Sequence, residues 1–290
     1  MSASQFIFQL FNGLVFSMLL FILAAGLSLI FGLMDVINLS HGAFYLLGGY
    51  IGLTMVRQFD NFWIALIVAP LIVSGLGLIV EYFFLRRLYG RHRHLDQVLF
   101  TFGLALIAAD LIRWRWGAYV ESVPGPDELK GAVVIFGALF PRYRMSLIFF
   151  GLIIAAGLGL LIGRTRIGAI VRAGVSDAQM VSGLGIDIQK VFAGVFALGT
   201  ALAALAGVLG APVLNLYPGL DLEILILALV VVVVGGLGTL KGAFFGSLLI
   251  GLANTFGKAL IPQFSMFLIF AVMAVVLLAR PSGLFGVKGN

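Results

Sequence analysis

Long apolar runs separated by short polar stretches make up most of this chain. A helix that crosses a bilayer needs about 20 mostly apolar residues, with a range of roughly 17–25, and the longer runs have that length. The pattern predicts an all-α membrane protein with about eight or nine transmembrane helices, in a single transmembrane domain over residues 1–290. The runs are Phe6–Leu33, Gly42–Met55, Phe62–Leu85, Val98–Ile112, Met145–Gly163, Val191–Ala211, Leu222–Leu240, Ala243–Ile261 and Phe264–Ala279.

The first run passes into the stretch FGLMDVINLSHGAFYLLGGY at residues 31–50. Four polar residues interrupt apolar sequence there: Asp35, Asn38, Ser40 and His41. Non-helical backbone at membrane depth is tolerated only where it packs in protein or lines a wet cavity. The stretch therefore predicts either a discontinuous helix beside a transport path or a surface turn with Ser40 as helix N-cap, and both interpretations stay open.

A short echo of this stretch suggests an internal repeat. The sequence HGAFY at residues 41–45 resembles KGAFF at residues 241–245, and each precedes a glycine-rich apolar run. Transporters often contain two such repeats around a central path. Chance similarity in a chain rich in Gly, Ala and Phe is the alternative.

The polar segment RTRIGAIVRAGVSDAQMVSGLGIDIQK, residues 164–190, separates two long apolar runs and is here called the island. It is too short to form a domain, so it predicts a loop or short helix on one membrane face. Val171, Val175 and Ala178 have the spacing of one apolar helix face. Gly183 allows the chain to turn back towards the membrane. A merely solvated loop is the alternative.

Composition and charge agree with a membrane protein. The chain is 62% hydrophobic and 10% charged, whereas soluble domains average about 25% charged residues. Since Lys and Arg bias loops towards the cytoplasm, the net charge of +6 indicates topology and not nucleic-acid binding. Placing the island inside puts most basic residues inside, together with RRLYGRHRH at 86–94 and the C-terminus. The N-terminus is outside if all the runs cross, and inside if Gly42–Met55 returns to its own side.

The largest segment outside the spans is Arg113–Arg144, and its apolar part, Ala132–Pro141, predicts a re-entrant or surface helix. Ionisable residues within the runs have local explanations. Asp110 is expected to pair with Arg113, and Glu81 to face Arg86 or the lipid headgroups. Glu223 is expected to lie at a helix N-terminus, where a carboxylate is favourable. The pattern places no ionisable group at the membrane midplane, which argues against a proton or sodium relay.

The sequence contains no motif that predicts an enzyme. GGLGTLKG at 235–242 lacks the glycine before Lys241 that a phosphate-binding loop requires, so it indicates a tight turn. No metal-spaced cluster of His, Asp or Glu is present, and the chain has no cysteine. We expect no catalytic residues, no metal and no cofactor, and energy must then come from a partner or an ion gradient.

Three blocks of the sequence carry a family resemblance: GLMDVINLSHGAFYLLGGY, the island with the run that follows it, and VVVVGGLGTLKGAFFGSLLIGL. They resemble the branched-chain amino acid ABC transporter permeases, more closely the H-type subunit of the high-affinity leucine/isoleucine/valine importer. The resemblance covers roughly residues 5–285. Relatives import urea, amides and other amino acids, so it is less specific for the solute.

The resemblance implies an ABC importer permease fold in a bacterial-type inner membrane. It implies two cytoplasmic ATP-binding subunits, a second homologous permease and a periplasmic or lipid-anchored solute-binding protein as partners. The island is then the element that couples to the ATPase. The expected coupling residues are Arg172, Ala173, Gly174, Asp177, Ala178, Gly183 and Ile186.

Polar residues inside the runs are the candidates for a substrate path. They are Asn38, Ser40, His41, Tyr45 and Thr101, with Asn254 and Thr255 in the second half. Hydrogen bonding between helices is the alternative role for such residues. Two other classes of protein remain open: a secondary carrier or channel that acts alone, and, less favoured, a membrane enzyme or scaffold.

Overall fold

A computed structural model describes residues 3–89, 93–135 and 138–286 of the chain, so residues 90–92 of the predicted basic cluster lie outside the described part. Every predicted apolar run forms a helix. The helices are α1 (Ala3–Met34), α2 (His41–Phe59), α3 (Phe62–Phe83), α4 (His94–Trp116), α5 (Arg142–Arg164), α6 (Arg166–Ser176), α7 (Ala178–Gly183), α8 (Ile188–Leu214), α9 (Leu220–Gly235), α10 (Leu240–Leu260) and α11 (Ser265–Ala279).

Among the described residues, 7 helical segments are long and apolar enough to cross a membrane. They comprise α1, α3, α4, α5, α8, α10 and α11, the last counted with the short 3₁₀ turn Pro262–Phe264 before it. Two further helices formed by predicted runs are not among these segments: α2, with 19 residues, and α9, with 16. Both of these helices begin inside the bundle.

The prediction of a re-entrant or surface helix at Ala132–Pro141 is wrong. The segment forms an antiparallel hairpin of β1 (Ala132–Ile135) and β2 (Ala138–Pro141), in which Val133 pairs with Phe140. A run this short with β-branched residues favours strands over a helix. Phe140 is buried, and its ring lies 4.8 Å from that of Phe11 in α1 between centroids.

The bundle has a central layer and a peripheral one. In α1, 83% of the most apolar window is buried inside the protein, and in α8 61% is buried, whereas α5 has 17% buried and α11 has 11%. Helix α1 packs against α8, α9 and α10, while α2 and α3 pack against α8. The peripheral helices α3, α4, α5 and α11 therefore present apolar surface outwards, as expected for helices that face lipid or another subunit.

Glycine permits unusually close helix crossings in the central layer. A Cβ atom on Gly26 would lie 2.6 Å from the carbonyl oxygen of Gly199, and one on Gly48 would overlap the backbone of Ala204. Small residues at such crossings let backbones approach closely in lipid, where burial of apolar surface no longer drives helix association. The α1–α8 and α2–α8 crossings therefore depend on the absence of side chains.

The chain breaks between α1 and α2 and re-enters the bundle. The end of α1 lies against the island, since a Cβ on Gly174 would be 2.7 Å from Leu33. The first residue of α2, His41, instead hydrogen bonds through Nε2 to the carbonyl of Leu23 at 3.1 Å. Leu23 lies about 16 Å back along α1 from Met34 at 1.5 Å per residue. The discontinuous helix is therefore confirmed, and Ser40 makes no side-chain capping bond.

A second break between α8 and α9 mirrors the first. Helix α9 begins beside α2, because a Cβ on Gly42 would overlap the carbonyl of Asp221. From that point α2 runs away from the island and α9 runs towards it, where Gly238 meets Gly32. The repeated feature is thus a break followed by a short helix. The HGAFY and KGAFF echo does not mark equivalent positions, since KGAFF begins α10 at the island face.

The two ends of the described chain lie on opposite faces of the bundle. Helix α1 starts on the face opposite the island, where the Phe6 ring packs 5.4 Å from that of Phe256, near the end of α10. The C-terminal segment returns to the island face, where the amide of Leu284 donates to the carbonyl of Val234 at 2.9 Å. This arrangement favours the version in which all nine runs cross, with the N-terminus opposite the island.

A reporter that is active only in the cytoplasm should therefore give opposite results at the two ends. We expect a fusion at Ser2 to be inactive and a fusion after Asn290 to be active, with membrane levels of both fusions measured by immunoblotting. Activity from both fusions would show that the N-terminus lies on the island side and would contradict the nine-crossing arrangement.

A methyl group at the α2–α8 crossing should destabilise the bundle. Replacing Gly48 with Ala forces the helices apart, and overpacking typically costs about 1–3 kcal/mol. The matched control is Gly103→Ala in α4, where nothing lies within 4 Å of an added Cβ and helix propensity improves. We expect a lower midpoint for thermal aggregation of detergent-solubilised Gly48→Ala only. Equal midpoints in both variants would contradict the crossing.

Candidate functional site

The island folds into two short helices joined at Asp177. Helix α6 begins at Thr165, whose Oγ1 accepts a hydrogen bond from the amide of Gly168 at 3.0 Å. Asp177 ends α6 and caps α7, because its Oδ1 accepts bonds from the amides of Gln179 and Met180, both at 2.9 Å. Asp is among the strongest N-cap residues, so this one side chain fixes the turn between the two helices.

The predicted coupling residues divide between two surfaces of the island. Gly174 is buried, and Ala178 and Ile186 are half-buried. The other four are exposed: Arg172, Ala173, Asp177 and Gly183. The island thus presents a mainly solvent-facing surface while α6 stays anchored to the spans.

The single apolar face predicted from Val171, Val175 and Ala178 is wrong. Val171 is buried, but Val175 is 46% exposed, and Ala178 belongs to a different helix because Asp177 breaks the periodicity. The anchoring side of α6 instead consists of Gly168, Val171 and Gly174, at a spacing of three. The sequence pattern failed because it treated the island as one helix.

The sequence pattern did not indicate two exposed apolar side chains, one in α7 and one directly after it. Met180 is 65% exposed and Leu184 is 74% exposed. Apolar residues this exposed on a polar segment are a signal of an interaction surface when they adjoin one another. Their exposure makes them part of the solvent-facing surface of the island.

A cavity of about 600 Å³ separates the island from the ends of the spans. Its walls come from the end of α1, the beginning of α4, the α6–α7 turn and Phe192 of α8. His94 Nε2 and Asp35 Oδ2, which belong to its lining, lie 3.6 Å apart, and this contact links α4 to the first residue after α1. The cavity therefore lies between the island and the first break.

A buried carboxylate fixes the loop between α3 and α4. Glu81 is fully buried, lies 3.2 Å from Arg86 and accepts a hydrogen bond of 2.7 Å from the hydroxyl of Tyr89. The Glu81–Arg86 contact confirms the expectation from sequence. Burial and the bond to Glu81 raise the pKa of Tyr89. The Tyr89 ring packs edge-on against Phe192, with centroids 5.2 Å apart, so this network joins the loop to α8 beside the cavity.

Four predicted path residues meet at the first break. Asn38 Oδ1 accepts hydrogen bonds from the amide and hydroxyl of Ser40, at 3.1 and 2.6 Å. Thr101 Oγ1 of α4 accepts from the amide of Leu39 at 3.2 Å, and His41 bonds to α1 as described. All four side chains are buried. Asn38 Nδ2 and His41 Nδ1 have no protein partner, so these bonds do not use all of the polar capacity of the cluster.

The other three predicted path residues lie elsewhere. Tyr45 is buried, and its hydroxyl, which has no hydrogen-bond partner, abuts Gly210 of α8. Thr255 of α10 packs near Gly13 of α1. At a helical rise of 1.5 Å per residue, Gly13 lies about 15 Å along α1 from Leu23, the residue to which His41 bonds. Asn254 is buried beside Thr255. The structure therefore does not bring the two halves of the predicted path together.

The ionisable residues differ from expectation at one place. Asp110 and Arg113 form the expected local pair at 4.0 Å, with both side chains exposed. Glu223 lies in the first turn of a helix, as expected. However, α9 begins deep in the bundle, so Glu223 and the buried Asp221 lie near mid-depth, and the inference that no ionisable group does so is wrong. This depth is not apparent from the amino-acid sequence, because α9 follows a loop that re-enters the bundle.

Broken helices with polar groups at mid-depth, and a helical island on one face, define a polytopic membrane protein of the permease class. The family comparison agrees. The chain matches, over residues 9–277, the family described as the permease component of the branched-chain amino acid transport system. The chain belongs to this family.

Curated relatives match over nearly their full length. The high-affinity branched-chain amino acid transport system permease protein BraD of Pseudomonas aeruginosa is 30% identical, over 96% of this chain and 95% of BraD. LivH of Escherichia coli K12, which has the corresponding description, is 27% identical over 97% and 96%. Among solved structures, the chain is similar to PsaBC from Streptococcus pneumoniae in complex with Fab, with 13% identity, 92% and 89% coverage and a TM-score of 0.49.

The capping role of Asp177 gives a prediction for the island. Asp177→Ala removes two hydrogen bonds to backbone amides and should cost about 1 kcal/mol, which raises the opened population about fivefold. We expect faster tryptic cleavage after Arg172 in inside-out vesicles. Asp177→Asn keeps a capping oxygen and should behave like the unmodified chain. Cleavage of the Ala variant at the unmodified rate would show that the cap does not hold the island.

Proposed function

We propose that the chain is the transmembrane permease subunit of an ATP-driven importer that moves leucine, isoleucine and valine into the cytoplasm by alternating access. The observation that carries this proposal is the island, a capped helix pair that is anchored to α1 and exposed on its outer side. Membership of the permease family and the names of the curated relatives support it.

The proposed assembly contains two cytoplasmic ATP-binding subunits, a second homologous permease and a periplasmic or lipid-anchored solute-binding protein. The chain has no phosphate-binding loop motif, so ATP hydrolysis belongs to the partners and this chain is not itself an enzyme. The location is a bacterial-type inner membrane, with the island and the C-terminus in the cytoplasm. Basic residues at the island face, including Arg166 and Arg172, support this orientation.

The island is the proposed docking element for the ATP-binding subunits. The proposed contact surface consists of Arg172, Ala173, Asp177 and Gly183, together with the exposed side chains of Met180 and Leu184. Gly174 faces the opposite way and touches Leu33. A displacement of α6 would therefore act on the end of α1, directly before the first break.

The first break is the proposed element that responds to this displacement. Residues 36–39 make none of the backbone hydrogen bonds of a helix and are held by side-chain contacts such as those of Thr101 and Asn38. Such contacts are easier to rearrange than a continuous helix, because no run of backbone bonds has to break. The proposed path residues remain Asn38, Ser40, His41, Tyr45, Thr101, Asn254 and Thr255. An opening of the first break would bring the solute into contact with them.

Reconstitution tests this proposal directly. The chain is co-expressed with the genes that neighbour it, purified through a tag in mild detergent and placed in liposomes. We expect ATPase subunits and a second permease to co-purify, and radiolabelled leucine to accumulate only with ATP and the binding protein. Uptake by the chain alone without ATP would contradict the importer and indicate a secondary carrier or channel. Uptake of urea or an amide in place of leucine would contradict the proposed substrate and assign the importer to that other class of solute.

A charge on the island should uncouple the assembly. Ala178 is half-buried at the start of α7, so Ala178→Glu is compatible with that helix N-terminus, but it introduces a charge that docking must desolvate. We expect at least a tenfold loss of co-purified ATPase at an unchanged membrane level. The matched control is Ala118→Glu, the same change at an exposed position on the opposite face. Normal co-purification and uptake with Ala178→Glu would remove the island from the docking surface.

A further inference from the structure

The first turn of α9 lies near the middle of the membrane. Asp221 contacts Gly42, which follows His41 in the sequence. His41 bonds to Leu23, and Leu23 lies about 16 Å from the island end of α1 at a helical rise of 1.5 Å per residue. In the other direction, α2 continues from Gly42 to Phe59 for about 26 Å at the same rise. A bilayer's hydrocarbon core is about 30 Å thick, so neither membrane surface is close to this turn.

One side of this turn is exposed and carries a carboxylate. Glu223 is exposed between Leu222, at 45% exposure, and Ile226, at 40%. Its Oε2 accepts a hydrogen bond of 3.1 Å from the hydroxyl of Tyr217. Among the described residues, no Lys, Arg or His forms an ion pair with it. A charged side chain at this depth is costly against lipid and instead faces a bundle interior or water.

A second polar group lies beneath the same surface. The hydroxyl of Tyr45 is buried and unpartnered, and Tyr45 lies one turn along α2 from Gly42, which contacts Asp221. Buried hydroxyls normally have a hydrogen-bond partner. Tyr45 was predicted as a path residue from the sequence alone. An unsatisfied hydroxyl behind an exposed carboxylate indicates a site that is completed by a ligand or by water.

We propose that this face of α9 lines the translocation path and that Glu223 binds the ammonium group of the amino acid in transit. This inference rests on the proposed function. A carboxylate accepts short, charge-assisted hydrogen bonds from an ammonium group. Tyr217 holds the carboxylate in place, and the exposed side chains of Leu222 and Ile226 offer apolar contact to an aliphatic side chain. Asp221, whose Oδ1 accepts a hydrogen bond from the amide of Gly219 at 3.1 Å, holds the start of α9 in place beside the site.

The absence of cysteine from the chain allows a direct test of water access. Glu223→Cys and Ile226→Cys are made singly in the full assembly in liposomes and exposed to a cationic, membrane-impermeant thiol reagent. The matched control is Ile153→Cys in the middle of α5, which is 49% exposed and expected to face lipid. We expect both α9 variants to be labelled much faster than the control. If both α9 variants are labelled as slowly as the control, with and without ATP, the path assignment is overturned.

The ammonium contact is tested with the reporter Ile226→Cys, which leaves Glu223 intact. Millimolar leucine or 3-methylbutylamine, which has the ammonium group but no carboxylate, should slow its labelling, while 4-methylpentanoate should not. Adding Glu223→Gln should raise the amine concentration needed for protection at least about tenfold, a difference of about 1.4 kcal/mol. Protection by the amine that is equal with and without Glu223→Gln would overturn the role of Glu223.

These measurements test the site independently of the proposed function, because labelling does not require transport. Expected labelling without ATP-driven leucine uptake would remove the importer proposal and leave the aqueous site. Normal leucine uptake with an unlabelled α9 face would leave the importer and remove the site. Co-purification of each variant with its partners establishes that it is assembled.

Discussion

Backbone that leaves the helical conformation inside a membrane has to find its hydrogen-bond partners within the protein, and this requirement organises the bundle. The first break is satisfied by Thr101, which reaches in from α4 to the amide of Leu39. At the second break, Leu216 exchanges two backbone hydrogen bonds of 2.8 Å with Glu121. Each break is therefore tied to a segment distant in sequence, so the short helices α2 and α9 cannot form without the rest of the fold.

Close packing around the breaks follows from the same requirement. Lipid is as apolar as leucine, so helices associate through van der Waals contact and close backbone approach. Gly42 meets Asp221, Gly48 meets Ala204, and Gly207 of α8 meets the carbonyl of Tyr45. These contacts exclude side chains where the breaks need support, which explains why the chain contains 38 glycines and why several of them lie at crossings and not in turns.

The arrangement separates two kinds of chemistry along the membrane normal. The island carries an exposed, capped surface at one face, and the α9 turn carries carboxylates at mid-depth. Between them lie the cavity and the first break, which share residues at the end of α1. In the importer that we propose, this separation keeps the docking surface accessible to a partner while the carboxylates lie within the membrane.

The sequence predicted the helices well because hydrophobic runs at membrane length have few alternative structures. It also identified the break at residues 35–40 and the pairing of Glu81 with Arg86, since polar residues within apolar sequence require local partners. It failed on the hairpin at Ala132–Pro141, where a short apolar run is compatible with either strand or helix. It failed on Val175 as well, because the N-cap at Asp177 interrupts a periodicity that looks continuous in the sequence.

By itself, then, the amino-acid sequence determined the membrane class, the apolar spans, the island and the resemblance that led to the family. Only the tertiary structure decided how deep α2 and α9 begin, because depth depends on how far an irregular segment re-enters the bundle, and the chain's local composition does not encode that distance. For the same reason Glu223, which in sequence is an ordinary acidic residue at a helix start, becomes in the folded chain an exposed carboxylate near mid-membrane.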